Sequence, residues 1–428
     1  MLSGKRIVLT TFGSLGDLHP YIALAIGLRE RGHSPVLATH EVYRSKIEGE
    51  GIAFHPVAPD LTDFGDEREF TRRAFAKHGG IEFLIKTVVI KPLRQSYADL
   101  DAAVSDNTDL LIAHPLTFAA PLIAEKRKLP WLSVALAPAS FMSAYDPFVF
   151  PQAPFISRLQ PMLGPIWYRK LLNVIQKVPY RLTDEVRAFR PEIGLPSSTA
   201  DPLFAGQFSP FGTLALFSSA LGAPQPDWHP KTVQTGFCFY DKLAAGSGLT
   251  PETEAFLQTG EPPIVFTLGS AAVMDAGAFY TVSVEAAAQL GRRAILLTGK
   301  DASNIPATLP GGVIAVPYAP YSELFGRSAV LVHQGGVGTT GQSLRSGRPQ
   351  LVVPHGFDQP DNAFRMVQRG VGRTVDRFAY TVPNVTRELS TLLTDKQYAE
   401  RAANLGEQVR NEDGIHSACD AVEAVLGQ

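Results

Sequence analysis

The chain has 428 residues with 39 basic and 41 acidic side chains, so its formal charge of −2 lacks the basic excess of a bulk nucleic-acid binder. Its apolar share of 45% suits a soluble globular protein of two ordinary domains, and no apolar run reaches the ~18 residues of a membrane span. The apolar run after Lys5 and Arg6 stops at Leu9, too short for a signal peptide. Cys238 and Cys419 lie too far apart for a metal motif, so a reducing, cytoplasmic setting is expected.

In chain order, KRIVLT (5–10) reads as a buried-type strand, TFGSLGD as a loop and PYIALAIGLRERG as a helix. Tyr21, Leu24, Ala25 and Leu28 share one helical face, Pro20 suits the first turn and Gly32 the end. SPVLATH is the next strand, and this βαβ unit predicts a parallel sheet. DLLIAH (109–114) and WLSVAL (131–136) are further strands around a helical FAAPLIAEKRK. From Phe141 to about Pro210 the periodicity fades among prolines, aromatics (Phe148, Phe150, Phe155, Trp167, Tyr168) and the basic Arg169, Lys170, Lys177 and Arg181. This region reads as irregular helices over the sheet or as a greasy acceptor pocket, with weak peripheral membrane contact as a further reading. GAPQPDWHP (222–230) is the linker candidate. Beyond it PPIVFTLGS, a helix to about Gly291, RAILLTG, GVIAVPY, SAVLVH and QLVVP resume the α/β alternation.

The stretch from Val330 to Asn362 concentrates the chemistry. A strand ends at His333, a glycine-rich turn with Thr339 and Thr340 opens a helix, and a second strand leads to Asp358 and Gln359. Strand, glycine turn and helix N-terminus make an anion cradle, and the acceptor-rich Asp-Gln pair suits hydroxyls. A diphosphate beside a polyol is a nucleotide sugar. Gly336-x-Gly338-x-x-Gly341 with Asp358 about 20 residues on also satisfies the dinucleotide fingerprint, so an NAD(P)-dependent oxidoreductase is the rival.

HQGGVGTT (333–340), GRPQLVVP and Asp358-Gln359, together with GSLGD near the start, TLGS at 267–270 and Tyr318-Ala-Pro-Tyr321, resemble the family 1 inverting glycosyltransferases of the GT-B fold. The likeness, to the UDP-glycosyltransferase superfamily and its bacterial sterol-, lipid- and antibiotic-glycosylating members, runs the length of the chain. It implies that His333 and the amides of Gly335, Gly336, Gly338, Thr339 and Thr340 hold the diphosphate, with Ser270 as a further contact. Tyr318 would stack on the nucleobase, and Asp358 and Gln359 would bind sugar hydroxyls. Many relatives carry an acid on the signature helix that bonds the ribose; here Gln342 stands in that neighbourhood.

The resemblance places the catalytic base in Gly16-Asp17-Leu18-His19-Pro20. Asp17 is the family's candidate, His19 an alternative, and His114 falls where histidine-type relatives carry the orienting aspartate, which suggests an exchanged Asp17–His114 pair. By residue type alone Asp17 reads better as an N-cap; the family position reverses that. Asp99-Leu-Asp101 imitates the D-x-D of metal-dependent transferases but sits in a polar helical stretch, so no metal or other cofactor is expected.

The expected fold class is α/β, two Rossmann-like parallel-sheet domains facing a cleft: acceptor domain 1–221, linker 222–232, donor domain 233–403, and a C-terminal helix in 404–428 that crosses back. The expected reaction is metal-independent, inverting transfer of a hexose, with UDP-glucose as the donor prior, to the hydroxyl of a lipophilic small molecule of terpenoid, sterol, phenolic or macrolide type. A GT-B nucleotide-sugar epimerase and a lipid-intermediate glycosyltransferase are the alternatives within the fold. Nucleic acid is not an expected partner, and the oligomeric state is unreadable.

Overall fold

The computed structural model describes residues 4–241 and 248–427. They form two compact units: one takes the chain up to Tyr240 and again from Asp413, and the other runs from Asp241 to Glu412. Each is built on its own parallel sheet.

The first sheet contains β1 (Arg6–Thr10), β2 (Ser34–Thr39), β3 (Ala53–Pro56), β4 (Leu110–Ala113), β5 (Trp131–Ala135), β6 (Thr213–Ala215) and β7 (Thr232–Gln234), in the order β3-β2-β1-β4-β5-β6-β7. Its central strands are mostly apolar and buried, as strands covered on both faces must be. The first helix starts earlier than its apolar pattern suggests, spanning Leu15–Glu30 with Pro20 inside it. Ser14 supplies the N-cap that places this start.

The 222–230 segment is packed rather than free. Trp228 stacks on Phe141 with ring centroids 4.1 Å apart. Asp227 pairs with Arg169 and accepts from the Ser143 hydroxyl at 2.6 Å. The seventh strand follows it, so the unit boundary falls at Tyr240–Asp241 rather than at 222–232.

The second sheet contains β8 (Ile264–Thr267), β9 (Ala294–Leu297), β10 (Val313–Val316), β11 (Val330–His333), β12 (Gln350–Val352) and β13 (Gly372–Thr374), in the order β10-β9-β8-β11-β12-β13. The Lys396–Arg410 helix stays with this unit, and the chain returns to the first unit with the helix Gly414–Leu426. That helix lies on Leu15–Glu30: a Cβ at Gly27 would stand 2.5 Å from the Ile415 side chain. Arg31 reaches Asp420 at 2.6 Å and Glu423 at 2.9 Å. Cys238 and Cys419 are buried free thiols.

Candidate active site

In each sheet the strand order reverses once, between β1 and β4 in the first and between β8 and β11 in the second. Loops leaving the two strands at such a point diverge and open a crevice at their carboxyl ends. Most of the expected functional residues lie at these two points.

In the first unit, Asp17 occupies the third position of the Leu15–Glu30 helix. Its Oδ2 accepts the Ser14 N–H at 2.8 Å and the Ser14 hydroxyl at 3.3 Å, closing a capping box. Gly13, at φ 120°, has to be glycine because a Cβ would stand 2.3 Å from that carboxylate oxygen. The other oxygen, Oδ1, lies 3.7 Å from His114 Nε2 at the end of β4. The Leu116 N–H donates to His114 Nδ1 at 3.2 Å, so the neutral ring carries its proton on Nε2, the nitrogen facing Asp17. His40 braces the same loop by accepting the Gly13 N–H at 3.4 Å and donating to Pro59 O at 2.6 Å. Burial pushes the His40 ring below its ordinary range, which keeps it neutral. His19, two positions along the helix, projects elsewhere: its ring centroid stands 5.0 Å from that of Tyr240. The structure thus joins Asp17 with His114 and leaves His19 apart.

In the second unit, glycine turns follow β8 and β11, and Gln334 lies between them. A Cβ at Gly269 would be 2.2 Å from Gln334 Nε2, and one at Gly336 would be 2.8 Å from it. Those two glycines therefore make room for a buried amide of this chain, a different use from ligand approach. Gly335, at φ 88°, is excluded from carrying a Cβ by Val352, 2.7 Å away. The Val337–Ser346 helix then begins with no side-chain cap. Its first-turn amides have no intrahelical acceptor, and Gly336 to Gly338 remain partly exposed. Open amides at a helix N-terminus are suited to an anion.

His333 works differently from the expectation. Its ring is fully buried, Nδ1 accepts the Gly335 N–H at 3.0 Å, and Nε2 donates to Gln350 Oε1 at 2.8 Å. Burial pushes its pKa down to about 4, so it is neutral, and both nitrogens are engaged inside the protein. It fixes the turn and makes no charge-assisted bond to phosphate. The Gly335 amide is likewise already used, and the Thr340 hydroxyl is fully buried. Thr339 is buried, and the Tyr321 hydroxyl is 3.0 Å from Thr267 Oγ1. Ser270 stands exposed after β8.

Asp358 heads the Gln359–Gln368 helix, directly after Phe357, which holds a strained φ of 57°. Asn362 Nδ2 donates to Asp358 Oδ2 at 2.7 Å and to Gly335 O at 2.9 Å, coupling the two turns of the motif. Gln359 turns its carbonyl inward, accepting the His355 and Gly356 amides at 2.8 and 3.2 Å. Tyr318 is 64% exposed.

One residue was missed. Asp241 lies against the signature helix, with Oδ1 accepting from Gln342 Nε2 at 3.0 Å and Oδ2 paired with Arg345. A carboxylate is therefore present beside Gln342, delivered by a distant part of the chain. No sequence signal of fixed spacing points to it. Asp99 and Asp101 are engaged structurally: Asp99 accepts the Ala58 N–H at 3.0 Å, and Asp101 pairs with Arg127 at 2.7 Å.

Residues 7–145 match the model for the glycosyltransferase family 28 N-terminal domain, and 282–415 match that for the erythromycin biosynthesis protein CIII-like C-terminal domain. O-mycaminosyltylonolide 6-deoxyallosyltransferase of Streptomyces fradiae is 32% identical over 98% of this chain and 97% of its own length. Sterol 3-beta-glucosyltransferase of Emericella nidulans is 30% identical over 97% of this chain, which spans 30% of that longer protein. Among solved structures, the glycotransferase of kitacinnamycin superposes with a TM-score of 0.74 at 22% identity, covering 99% of this chain and 100% of its own. The epimerase, lipid-intermediate and nicotinamide readings gain no support from these relatives. The fingerprint-like glycines also follow the fourth strand of their sheet, whereas a dinucleotide fold carries them after the first.

Proposed function

The chain belongs to the family 1 glycosyltransferases of the GT-B fold, and on that footing we propose that it moves a hexose from a nucleoside diphosphate sugar to a hydroxyl of a macrolide- or sterol-type acceptor. The observation that carries this reading is the Asp17–His114 pair at 3.7 Å, with the His114 proton directed at the carboxylate by the Leu116 amide. A histidine so held orients an acid and is not itself the free base, because taking a proton on Nε2 would require losing the one already there. Asp17 is the base in this scheme and His114 its positioning partner; the long spacing tightens when an acceptor hydroxyl arrives.

The step is a single inverting displacement. The acceptor oxygen gives its proton to Asp17 and attacks the anomeric carbon, the bond from that carbon to the diphosphate breaks, and the nucleoside diphosphate leaves with the electron pair. Growing charge on the leaving oxygens falls on the open amides at the start of Val337–Ser346, a preorganised seat that needs no metal. Tyr318 receives the base, Asp358 and the Nε2 end of Gln359 receive sugar hydroxyls, and Ser270 adds a phosphate contact. Asp241 then stands between platform and seat, where the ribose of a bound nucleotide would lie. UDP-glucose is the donor we propose.

The test is a panel of UDP- and dTDP-sugars with mixed macrolide, sterol and phenolic acceptors, scored by nucleoside diphosphate release and product mass. Acceptor-dependent release from a UDP-sugar, undiminished in EDTA, is expected. Release requiring added Mn²⁺ would remove the metal-free step. Stabilisation by NAD(P)H and by no UDP or dTDP compound would remove the whole reading.

A further inference from the structure

The Gln160–Ile175 helix of the first unit is broken at Gly164, whose φ of 68° and ψ of 167° lie outside the helical range. Beyond the break it has two apolar faces. Tyr168 and Leu172 are buried and join a small cluster with Ala144. On the opposite side Ile166, Trp167 and Val174, continued by Met162 before the break and Val178 after it, are between 62% and 82% exposed. Ile166, Lys170 and Val174 follow at four-residue spacing and so adjoin one another on the helix surface. Surface helices keep such a face polar; one that is apolar on its water side calls for a non-aqueous cover.

The charge around this face narrows the choice of cover. Residues 147–183 hold Arg158, Arg169, Lys170, Lys177 and Arg181 and no acidic residue, although acids outnumber bases in the chain as a whole. Arg169 is tied to Asp227, whereas Arg158, Lys170, Lys177 and Arg181 are exposed. The Lys170 ammonium lies 3.9 Å from the centre of the Trp167 ring, at the border between apolar face and charge. A second copy meeting this face across a two-fold axis would set like charges against each other. Aliphatic and indole groups on a helix that carries exposed Lys170, with exposed Arg158, Lys177 and Arg181 nearby in sequence, match the boundary between acyl chains and anionic headgroups.

We propose that this face docks the protein on an anionic lipid surface. It enters as deep as the helix is apolar and spans nothing; no helix among the described residues is long and apolar enough to cross a membrane. The docking needs neither donor nor acceptor, so its test is independent of the transferase reading.

The full chain is floated with vesicles of phosphatidylcholine alone and of phosphatidylcholine mixed with phosphatidylserine. Binding at least about tenfold stronger to the mixed vesicles, and falling as salt is added, is the expected result. The double variant Ile166→Asp/Trp167→Asp should abolish flotation. Lys170→Glu/Lys177→Glu should bring the mixed vesicles down to the neutral level. Both alter exposed positions, and unchanged circular dichroism and thermal midpoint would exclude misfolding. Absence of flotation at low salt overturns the proposal. So does sedimentation equilibrium showing a dimer that the Trp167 variant dissolves while the parent ignores vesicles.

Discussion

The substitution Asp17→Asn separates the two jobs of this residue. As a capping group, Asp17 accepts the Ser14 N–H at 2.8 Å through Oδ2, and an asparagine carbonyl can take the same bond. What is lost is a negative charge in the first helical turn, about 0.3–1 kcal/mol, or a fall in thermal midpoint of no more than about 4 °C. As a base the residue is irreplaceable by an amide, and removing a positioned base costs about 10²–10⁴ in turnover, some 3–5 kcal/mol of barrier. The expected outcome is therefore a nearly intact fold with turnover reduced by that factor. Affinity for the free nucleoside diphosphate should stay at the parent value, because its binding groups belong to the other unit. Thermal unfolding, calorimetric titration with UDP and initial rates of acceptor-dependent UDP release measure the three quantities. Turnover within about fivefold of the parent would refute Asp17 as the base. A parallel loss of UDP affinity would refute the division of roles between the units.

His114→Gln should reduce kcat by about tenfold, less than Asp17→Asn does, because it removes orientation and leaves the base; the reverse ranking would make His114 the base. Asp241→Asn should raise the donor KM about ten- to a hundredfold, the worth of a hydrogen bond to a charged group, with kcat little changed. The same variant should lose less against a 2′-deoxyribose donor, and equal losses would place Asp241 away from the ribose. His333 and His355 are both pushed down to about 4 from the ordinary 6.5 by burial. Below the ordinary value the unfolded chain takes up protons that the folded rings refuse, so stability is complete above about pH 6.5 and declines toward pH 4, by up to about 3 kcal/mol per ring. Urea midpoints across that interval check it, and a His333→Asn variant whose stability fell as steeply with acid as the parent's would contradict the assignment to His333.

What could be read in advance was whatever depends on neighbours in sequence. The strands β1, β2, β4, β5, β8, β9, β11 and β12 are short, mostly apolar and buried runs, β10 is an apolar edge strand, and their composition distinguishes them. The short strands β6, β7 and β13 do not stand out in the sequence, and missing β7 is what moved the domain boundary. The helix after β1 starts earlier than its apolar face, read from Tyr21, because the start is fixed by Ser14 and Asp17, polar residues whose reciprocal bonds outweigh a proline inside the helix. At the site, the motif's position was legible, but the partners of its side chains were not. His333 turns inward because Gln350, brought alongside by β11–β12 pairing, offers an acceptor at 2.8 Å. Gly336, taken for ligand clearance, faces Gln334, as Gly269 does, and the acid beside Gln342 arrives from Asp241. These outcomes depend on which distant groups the sheet order sets together, and the strand reversals at β1/β4 and β8/β11 decide that order. The Asp17–His114 pair shows the same principle from the favourable side. Both residues end segments that feed one crevice, so adjacency of β1 and β4 is enough to bring a carboxylate and an imidazole, 97 positions apart, to 3.7 Å.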